Sequence, residues 1–382
     1  MDRLPRWADV VLVPLISLIL AAATAALVLL AIGQDPVAAF EVMVDGAVGS
    51  AYGWGYTLYY ATSFMFTGLA VTVAFHAGLF NIGGEGQAQL GGLGVALVCL
   101  SLPWPHWTLA LLAASLGAAA FGAAWAAIPA FLQAKRGSHI VITTIMFNYI
   151  ASALIVYLLV DVLRPAGQMD PASARFPEGA KLPTFTDMPV LRELFIRLND
   201  DGTPKLSKAG AVVYSSVPAN VTLFIAIAAC IAVWALLWRT RLGYQIRAFG
   251  KSEKASLYAG INPVRITMIA LTISGGLAGL MAINNVMGES ERLLQNSAEG
   301  AGFIGIAVAL MGRNHPFGVF LAAILFGFLY QGGAALGLNT TIPIEMRVVV
   351  QGLVILFTGA LDMMVRMLVT RVFGLFRRVG VV

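Results

Sequence analysis

Long apolar runs recur along the sequence with few charges inside them, near residues 10–32, 57–76, 83–101, 107–132, 139–160, 217–238, 264–284, 299–312, 316–336 and 346–365. A helix needs about 20 apolar residues to span the ~30 Å hydrocarbon core of a bilayer, and several of these runs approach or exceed that length. Only 11% of the 382 residues are charged and 59% are hydrophobic, whereas about a quarter of a soluble domain is charged. A soluble fold of this size could not bury so much apolar surface. The short alternation of an outer-membrane barrel is absent, so the spans are helices. The expected fold is an all-α polytopic membrane protein, one transmembrane domain over residues 1–382 with about ten helices. The first run is too long for the apolar core of a cleaved leader, and no clear small-x-small site follows it, so it reads as a true helix. Cys99 and Cys230 each lie inside an apolar run and suggest neither a disulfide framework nor a metal site.

Lysines and arginines cluster beside alternate ends of these runs, which orients the chain. With the N-terminus inside, Arg3, Arg6, Lys135, Arg136, Arg239, Arg241, Arg247, Lys251, Lys254, Arg265, Arg313, Arg366, Arg371, Arg377 and Arg378 all face the cytoplasm, and both termini lie there. The other side receives Asp35, Glu41, Asp45, Glu289 and Glu345, and one long polar loop, 161–216, whose seven basic and seven acidic residues cancel. A loop of that length carries less topological weight than short ones. Its proline-rich stretch PASARFPEGAKLPTFTDMP reads as irregular extracytoplasmic structure. The net charge of +5 belongs to a cytoplasmic rim facing anionic lipid, and no nucleic-acid motif accompanies it.

Two stretches break the apolar pattern. In FNIGGEGQAQLGG, residues 80–92, Glu85 stands with Asn81, Gln87 and Gln89 among glycines. A carboxylate at the centre of a bilayer costs at least ~2.5–3.5 kcal/mol, so Glu85 must face a polar cavity, a partner or the cytoplasmic interface. Gly83, Gly84 and Gly86 would let the backbone leave helical geometry under cover of protein or water. Glu85 and Asn81 then either cap the helix that starts near Gly84 or, with Gln87, meet a solute. In SAEGAGFIGIAVALMGRNHPFG, residues 297–318, Glu299 and Gly300, Gly302 and Gly305 precede an apolar run too short to span, which ends at Arg313, Asn314, His315 and Pro316. Undersized, glycine-interrupted segments in matching places of two halves, 57–160 and 264–365, point to a central translocation site in a repeat-built transporter. Small-residue helix packing accounts for the same glycines without any pathway. A third stretch, residues 238–266, carries five basic residues between Arg239 and Lys254 and the amphipathic set Ile246, Phe249, Ala255, Leu257 and Tyr258. It reads as a short interfacial helix pair, lying on headgroups or engaged by another subunit.

FNIGGEGQ, RTRLGYQIRAFGKSEKASLYAGIN and GFIGIAVALMGRNHPFG together resemble the signature segments of bacterial ATP-binding cassette importer permeases. The resemblance is to the branched-chain amino acid and simple-sugar permeases, and within them to the basic-membrane-protein-linked nucleoside permeases, from about residue 57 to the end. It implies a permease subunit with no catalytic site, no cofactor and no metal. It also implies a second permease chain, identical or not, an ATP-binding cassette ATPase below and an extracytoplasmic solute-binding protein, all at the bacterial cytoplasmic (inner) membrane. Residues 239–262 would be the cytoplasmic coupling helix region, with Gly243, Arg247, Phe249, Gly250, Lys251, Ala255 and Gly260 on it. Asn81, Glu85 and Gln87 would be the broken-helix segment at the substrate pathway, with Glu299 and Gly302 from the second break. The long 161–216 loop departs from the compact family norm.

Other chemistry is absent from the sequence. No G-x-x-x-x-G-K-[ST] loop occurs, so the chain must borrow the energy of ATP. His76, His106, His139 and His315 stand at span ends with no H-x-x-x-H pair, which fits interface or capping roles better than zinc. No G-x-S-x-G motif appears. Tyr59 and Tyr60 either anchor at the lipid interface or stack on a nucleobase. The expected function is inward movement of a nucleoside or related sugar-like solute. The alternative is a stand-alone ion-coupled secondary transporter with Glu85 as its titrating group.

Overall fold

The computed structural model describes residues 12–357 apart from 198, 200–202, 208–210, 341 and 343–344, together with 364–365, 367 and 369–371. Residues 10–11 of the first expected span, residues 358–363 of the last, and Arg3, Arg6, Arg366, Arg377 and Arg378 lie outside the described residues. The helices are α1 Val13–Ala31, α2 Pro36–Val44, α3 Ala51–His76, α4 Gly84–Ser101, α5 Trp107–Arg136, α6 Ile140–Tyr157 and α7 Thr222–Arg239. They continue with α8 Arg241–Lys251, α9 Glu253–Tyr258, α10 Pro263–Leu280, α11 Ala301–Met311, α12 Pro316–Asn339 and α13 Met346–Ile355. Wide π turns extend α2, α6 and the region after α10, at Asp45–Gly49, Leu158–Val162 and Ile283–Glu289.

Seven helical segments among the described residues are long and apolar enough to cross a bilayer: Val13–Ala31, Ala51–His76, Trp107–Arg136, Ile140–Val162, Thr222–Arg239, Pro263–Glu289 and Pro316–Leu338. The chain is a polytopic helical membrane protein, and the difference from ten expected segments has a physical cause. Glu85, Gln87, Gln89 and five glycines dilute the apolarity of α4, which is 18 residues long. Helix α11 has only 11 residues, about 16 Å at 1.5 Å per residue, or half of the hydrocarbon thickness. Helix α2 was not foreseen, although Asp35 and Pro36 announce it: the Asp35 carboxylate accepts from the Val37 amide at 2.9 Å, and proline occupies the first turn.

The described residues of 1–53 and 328–382 form one compact unit and Trp54–Gly327 another. In the first, α1 packs through Val13, with Leu12, Ile16 and Leu20, on Val365 and Val369. Within the second, α3 and the Pro263–Glu289 segment are mostly covered by protein, 83% and 67%, while Trp107–Arg136, Ile140–Val162 and Thr222–Arg239 are only 28%, 22% and 33% covered. Helix α3, the least apolar of the seven segments, thus sits inside, and α5, α6 and α7 present apolar faces outward. Helix α4 is buried from Gly84 through Ala96. What lipid could not solvate is wrapped by helices that lipid can.

The wrapping depends on close approach. A methyl placed on Gly122 of α5 would lie 2.3 Å from the Gly275 carbonyl oxygen of α10, and one on Gly279 would lie 2.3 Å from the Ala118 carbonyl oxygen. Small residues permit this backbone contact where no hydrophobic force between helices operates in lipid. The sequence raised such packing for the glycines of residues 297–318, and here it operates at Gly122 and Gly279, between α5 and α10.

The loop between α6 and α7 is more ordered than the irregular structure expected for it. Antiparallel bridges join Ile196 to Tyr214, Leu206 to Val212 and Thr184 to Asn220, and another joins Ala172 to Leu294. Phe176, Phe185 and Phe195 are buried. Lys181 hydrogen-bonds Glu178 and lies 3.5 Å from Glu291, and these two carboxylates hold its ammonium above the usual lysine range. Phenylalanines spaced at about ten residues were the sequence signal for a packed loop.

Gly122→Ala is expected to lower the thermal unfolding midpoint of the purified protein by several degrees, since overpacking typically costs about 1–3 kcal/mol. Gly352→Ala, where a methyl meets nothing within 4 Å, is expected to leave the midpoint unchanged or raise it slightly. Equal midpoints for the two variants would contradict the packing described.

Candidate functional site

Helix α3 ends at His76, and the chain then runs without helix to Gly83 before α4 begins. The residues of this connection turn back into the protein. Asn81 is buried at 1% exposure and uses its whole amide: Nδ2 donates to Gln87 Oε1 and to Ser274 Oγ, each at 2.9 Å, while Oδ1 accepts from the Gly83 amide at 3.0 Å and from Gln87 Nε2 at 3.1 Å. Ser274, on α10, donates in turn to the Ala70 carbonyl of α3 at 2.6 Å. Asn148 of α6 closes the other side. Its Oδ1 accepts from the Gly86 amide and its Nδ2 donates to the Ile82 carbonyl, both at 2.9 Å. A helix start leaves its first amides unpaired, and in α4 one of them is served from another helix.

Glu85 does the same for α11. Its Oε1 accepts from the Gly300 amide and its Oε2 from the Gly302 amide, both at 2.9 Å. The carboxylate is a cap, but of a helix more than 200 residues away and not of the one that carries it. Gly300 has φ 80°, the left-handed region, which aims its N–H at the carboxylate. Gly302 is needed for approach: a methyl there would lie 2.2 Å from the Glu85 nitrogen. Two helix starts, each with a positive end, therefore meet around one negative group. From that junction α4 leads to Trp104, packed on Gly179 of the long loop, while α11 leads to Asn314, bonded to His76. The two short helices set out from one level in opposite directions.

Of the glycines expected to unwind the backbone, Gly83 lies in the irregular stretch, but Gly84 and Gly86 do something different. Gly84 and Gly86 lie within α4, and the irregular stretch precedes them. They serve contact instead, since a methyl on Gly86 would lie 3.0 Å from Ala151 Cβ and from Asn148 Cα.

Asn81, Glu85, Gln87 and Gly302 thus come together in one buried junction, with their polar groups engaged by protein. Glu299 stands beside it, exposed, with φ 49°. Tyr59 and Tyr60 lie apart, higher on α3. Tyr59 is buried, not at a lipid interface, and its ring stands edge-on to Tyr60 at 5.2 Å and to Tyr56 at 6.4 Å. Near it is a second polar node that sequence reasoning missed. Asn284, in the π turn after α10, donates to the Tyr59 carbonyl and to Ser63 Oγ at 2.9 Å and accepts from Thr222 Oγ1 at 2.8 Å and Asn220 Nδ2 at 3.2 Å. Asn148, Ser274 and Asn284 shared one legible signal, a small polar side chain in the middle of an apolar run.

The third predicted set lies at the far end of α3. Helix α8 starts at Thr240, whose hydroxyl accepts from the Gly243 amide at 3.0 Å, and it buries Gly243, Ile246 and Phe249. Ser252 starts α9, and Gly260 ends that region at φ 74°. Arg247 places its guanidinium 5.9 Å from the Trp238 ring centre. Gly250, Lys251, Ala255 and Gly260 are exposed, as are Leu257 and Tyr258 from the expected apolar set. A cavity of about 560 Å³ opens here between Gly250, Lys251 and Glu253 on one side and Gln133 and Thr267 on the other.

A family model described as the permease component of the branched-chain amino acid transport system matches residues 53–359. The guanosine ABC transporter permease protein NupP of Bacillus subtilis is 33% identical over 353 residues, 91% of this chain and 93% of the relative. The nucleoside ABC transporter permease protein NupB of Lactococcus lactis is 33% identical over 349 residues, 91% and 90% of the two chains. The glucose ABC transporter permease protein TsgB13 of Haloferax volcanii is 31% identical over 344 residues, 90% and 86%. No solved structure matches the chain.

Glu85→Ala is expected to orphan the two amides at the start of α11 and destabilise the purified protein by more than Glu85→Gln, which keeps one acceptor and is expected to cost about 1–3 kcal/mol. Thermal unfolding in lipid nanodiscs checks this. Midpoints unchanged in both variants would contradict the cap.

Proposed function

The chain belongs to the branched-chain amino acid transport system permease family, and from that premise we propose that it is the membrane subunit of an ATP-driven importer for a nucleoside or a related sugar-like solute. The observation that carries the reading is the junction of α4 and α11, two short helices whose starts meet at Glu85 inside the protein. Broken helices meeting at depth mark the central site of repeat-built transporters. The solute class rests on the printed names of the relatives, guanosine, nucleoside and glucose permeases. Those solutes share hydroxyl-bearing rings, which a few fixed polar groups in a mostly apolar cavity would recognise.

In this reading about ten membrane segments, with α4 and α11 as the short pair, place both termini in the cytoplasm of a bacterial inner membrane. The 161–216 loop faces a solute-binding protein outside. Residues 239–262 face an ATPase inside, with Gly250, Lys251 and Ala255 at the contact and Gly243, Arg247, Phe249 and Gly260 shaping it. A second permease chain, of the same or another kind, completes the pathway along Glu299, Tyr59 and Tyr60. Asn81, Glu85, Gln87 and Gly302 set its geometry through the hydrogen bonds that fix the two helix starts. ATP binding and solute shift the inward and outward states only by as much as their affinities for those states differ.

A stand-alone ion-driven transporter would need an exchangeable carboxylate, whereas both oxygens of Glu85 hold backbone amides. The experiment is nucleoside and glucose uptake into proteoliposomes. Uptake is expected only with the ATPase and binding protein present and ATP supplied. Uptake by this chain alone, driven by an ion gradient, would overturn the proposal.

A further inference from the structure

Helix α11 is held at both ends by residues that bracket one short connection. Its start is held by Glu85, as described. At its other end the Asn314 amide donates back to the Ala309 carbonyl at 2.8 Å, so Asn314 is fixed to the last turn of the helix. The Asn314 carbonyl lies 2.8 Å from His76 Nε2. A carbonyl oxygen only accepts, so the imidazole carries its hydrogen on Nε2. His76 is the last residue of α3 and Glu85 lies in the first turn of α4.

The same connection touches α8. A methyl on Gly250 would lie 2.2 Å from the His76 carbonyl oxygen and 2.8 Å from the Gly78 nitrogen, so the two backbones are in direct contact. Gly78 has φ 70°, and a methyl on it would lie 3.2 Å from the Gly250 backbone. A second contact runs in parallel through side chains, from Arg247 to Trp238 and from Trp238, edge-on at 5.2 Å, to the His76 ring.

We infer that His76 is a positioning residue: its bond to Asn314, with that of Glu85 to the other end, makes α11 and the α3–α4 connection one body, which α8 moves as a unit. The inference rests on the importer reading for the source of the push. It adds which helix receives the push and through which bonds. A displacement of α8 has no slack to lose at the two-glycine contact, and α11 cannot lag when both its ends are tied.

The test uses the assembled transporter with its ATPase and binding protein, with solute uptake and ATP hydrolysis measured together. His76→Phe keeps a ring against Trp238 and removes the donor. It is expected to lower uptake per ATP hydrolysed about tenfold, the scale of one lost hydrogen bond. His76→Gln restores a donor at similar reach and is expected to recover most of that ratio. Gly78→Ala, which pushes the connection off Gly250 and leaves the Asn314 bond in place, is expected to lower the ratio as well, and it carries the test if His76→Phe does not assemble. A wild-type ratio in His76→Phe, or in Gly78→Ala where His76→Phe is not obtained, would overturn the inference. So would a His76→Gln complex as impaired as His76→Phe. Uptake by the wild-type chain without its ATPase would instead remove the premise, and the inference with it.

Discussion

The bond between the Glu85 carboxylate and the amides of Gly300 and Gly302 is the constraint on which the rest of the structure depends. It resolves two problems at once. A carboxylate inside a membrane protein needs donors, and a helix that starts inside needs acceptors for its first amides. Charge-assisted bonds of this kind are worth about 1.5–3 kcal/mol each, and the positive ends of α4 and α11 add to them.

Sheltering the junction shapes everything around it. No water is at hand in the hydrocarbon to satisfy backbone groups, so the unwound stretch from Ala77 to Gly83 must find partners in side chains. Asn81 and Asn148 supply them for the Gly83 amide and the Ile82 carbonyl, and Gln87 and Ser274 hold the Asn81 amide in place. Holding α4, α5 and α10 this tightly requires backbones in contact, which explains the small residues at Gly91, Gly122, Gly275 and Gly279. The long apolar helices α5, α6 and α7 then complete the screen against lipid.

Much of this was legible beforehand. Composition and run length gave the class, and the boundaries of α4, α5, α6 and α11 fell within a few residues of the apolar runs, because helix ends here coincide with polar or glycine breaks. The importance of Glu85 was legible too, from the cost of an acid among apolar neighbours. Its partner was not, because a bond between residues 85 and 300 belongs to tertiary structure and leaves no local pattern. The same holds for Asn148 and Asn284, single amides whose roles appear only once distant helices are brought together. The order of the 161–216 loop was missed because prolines and balanced charges masked its buried phenylalanines. The α8–α9 pair was foreseen as amphipathic, yet Leu257 and Tyr258 are exposed while Ile246 and Phe249 are buried.

Hydrogen–deuterium exchange at the amides of residues 300–302, in the intact protein in lipid nanodiscs, reports on the central bond most directly. Slow exchange in the wild type and markedly faster exchange after Glu85→Ala is the result that follows from a carboxylate capping α11. Fast exchange in the wild type, or slow exchange indifferent to the loss of Glu85, would contradict it.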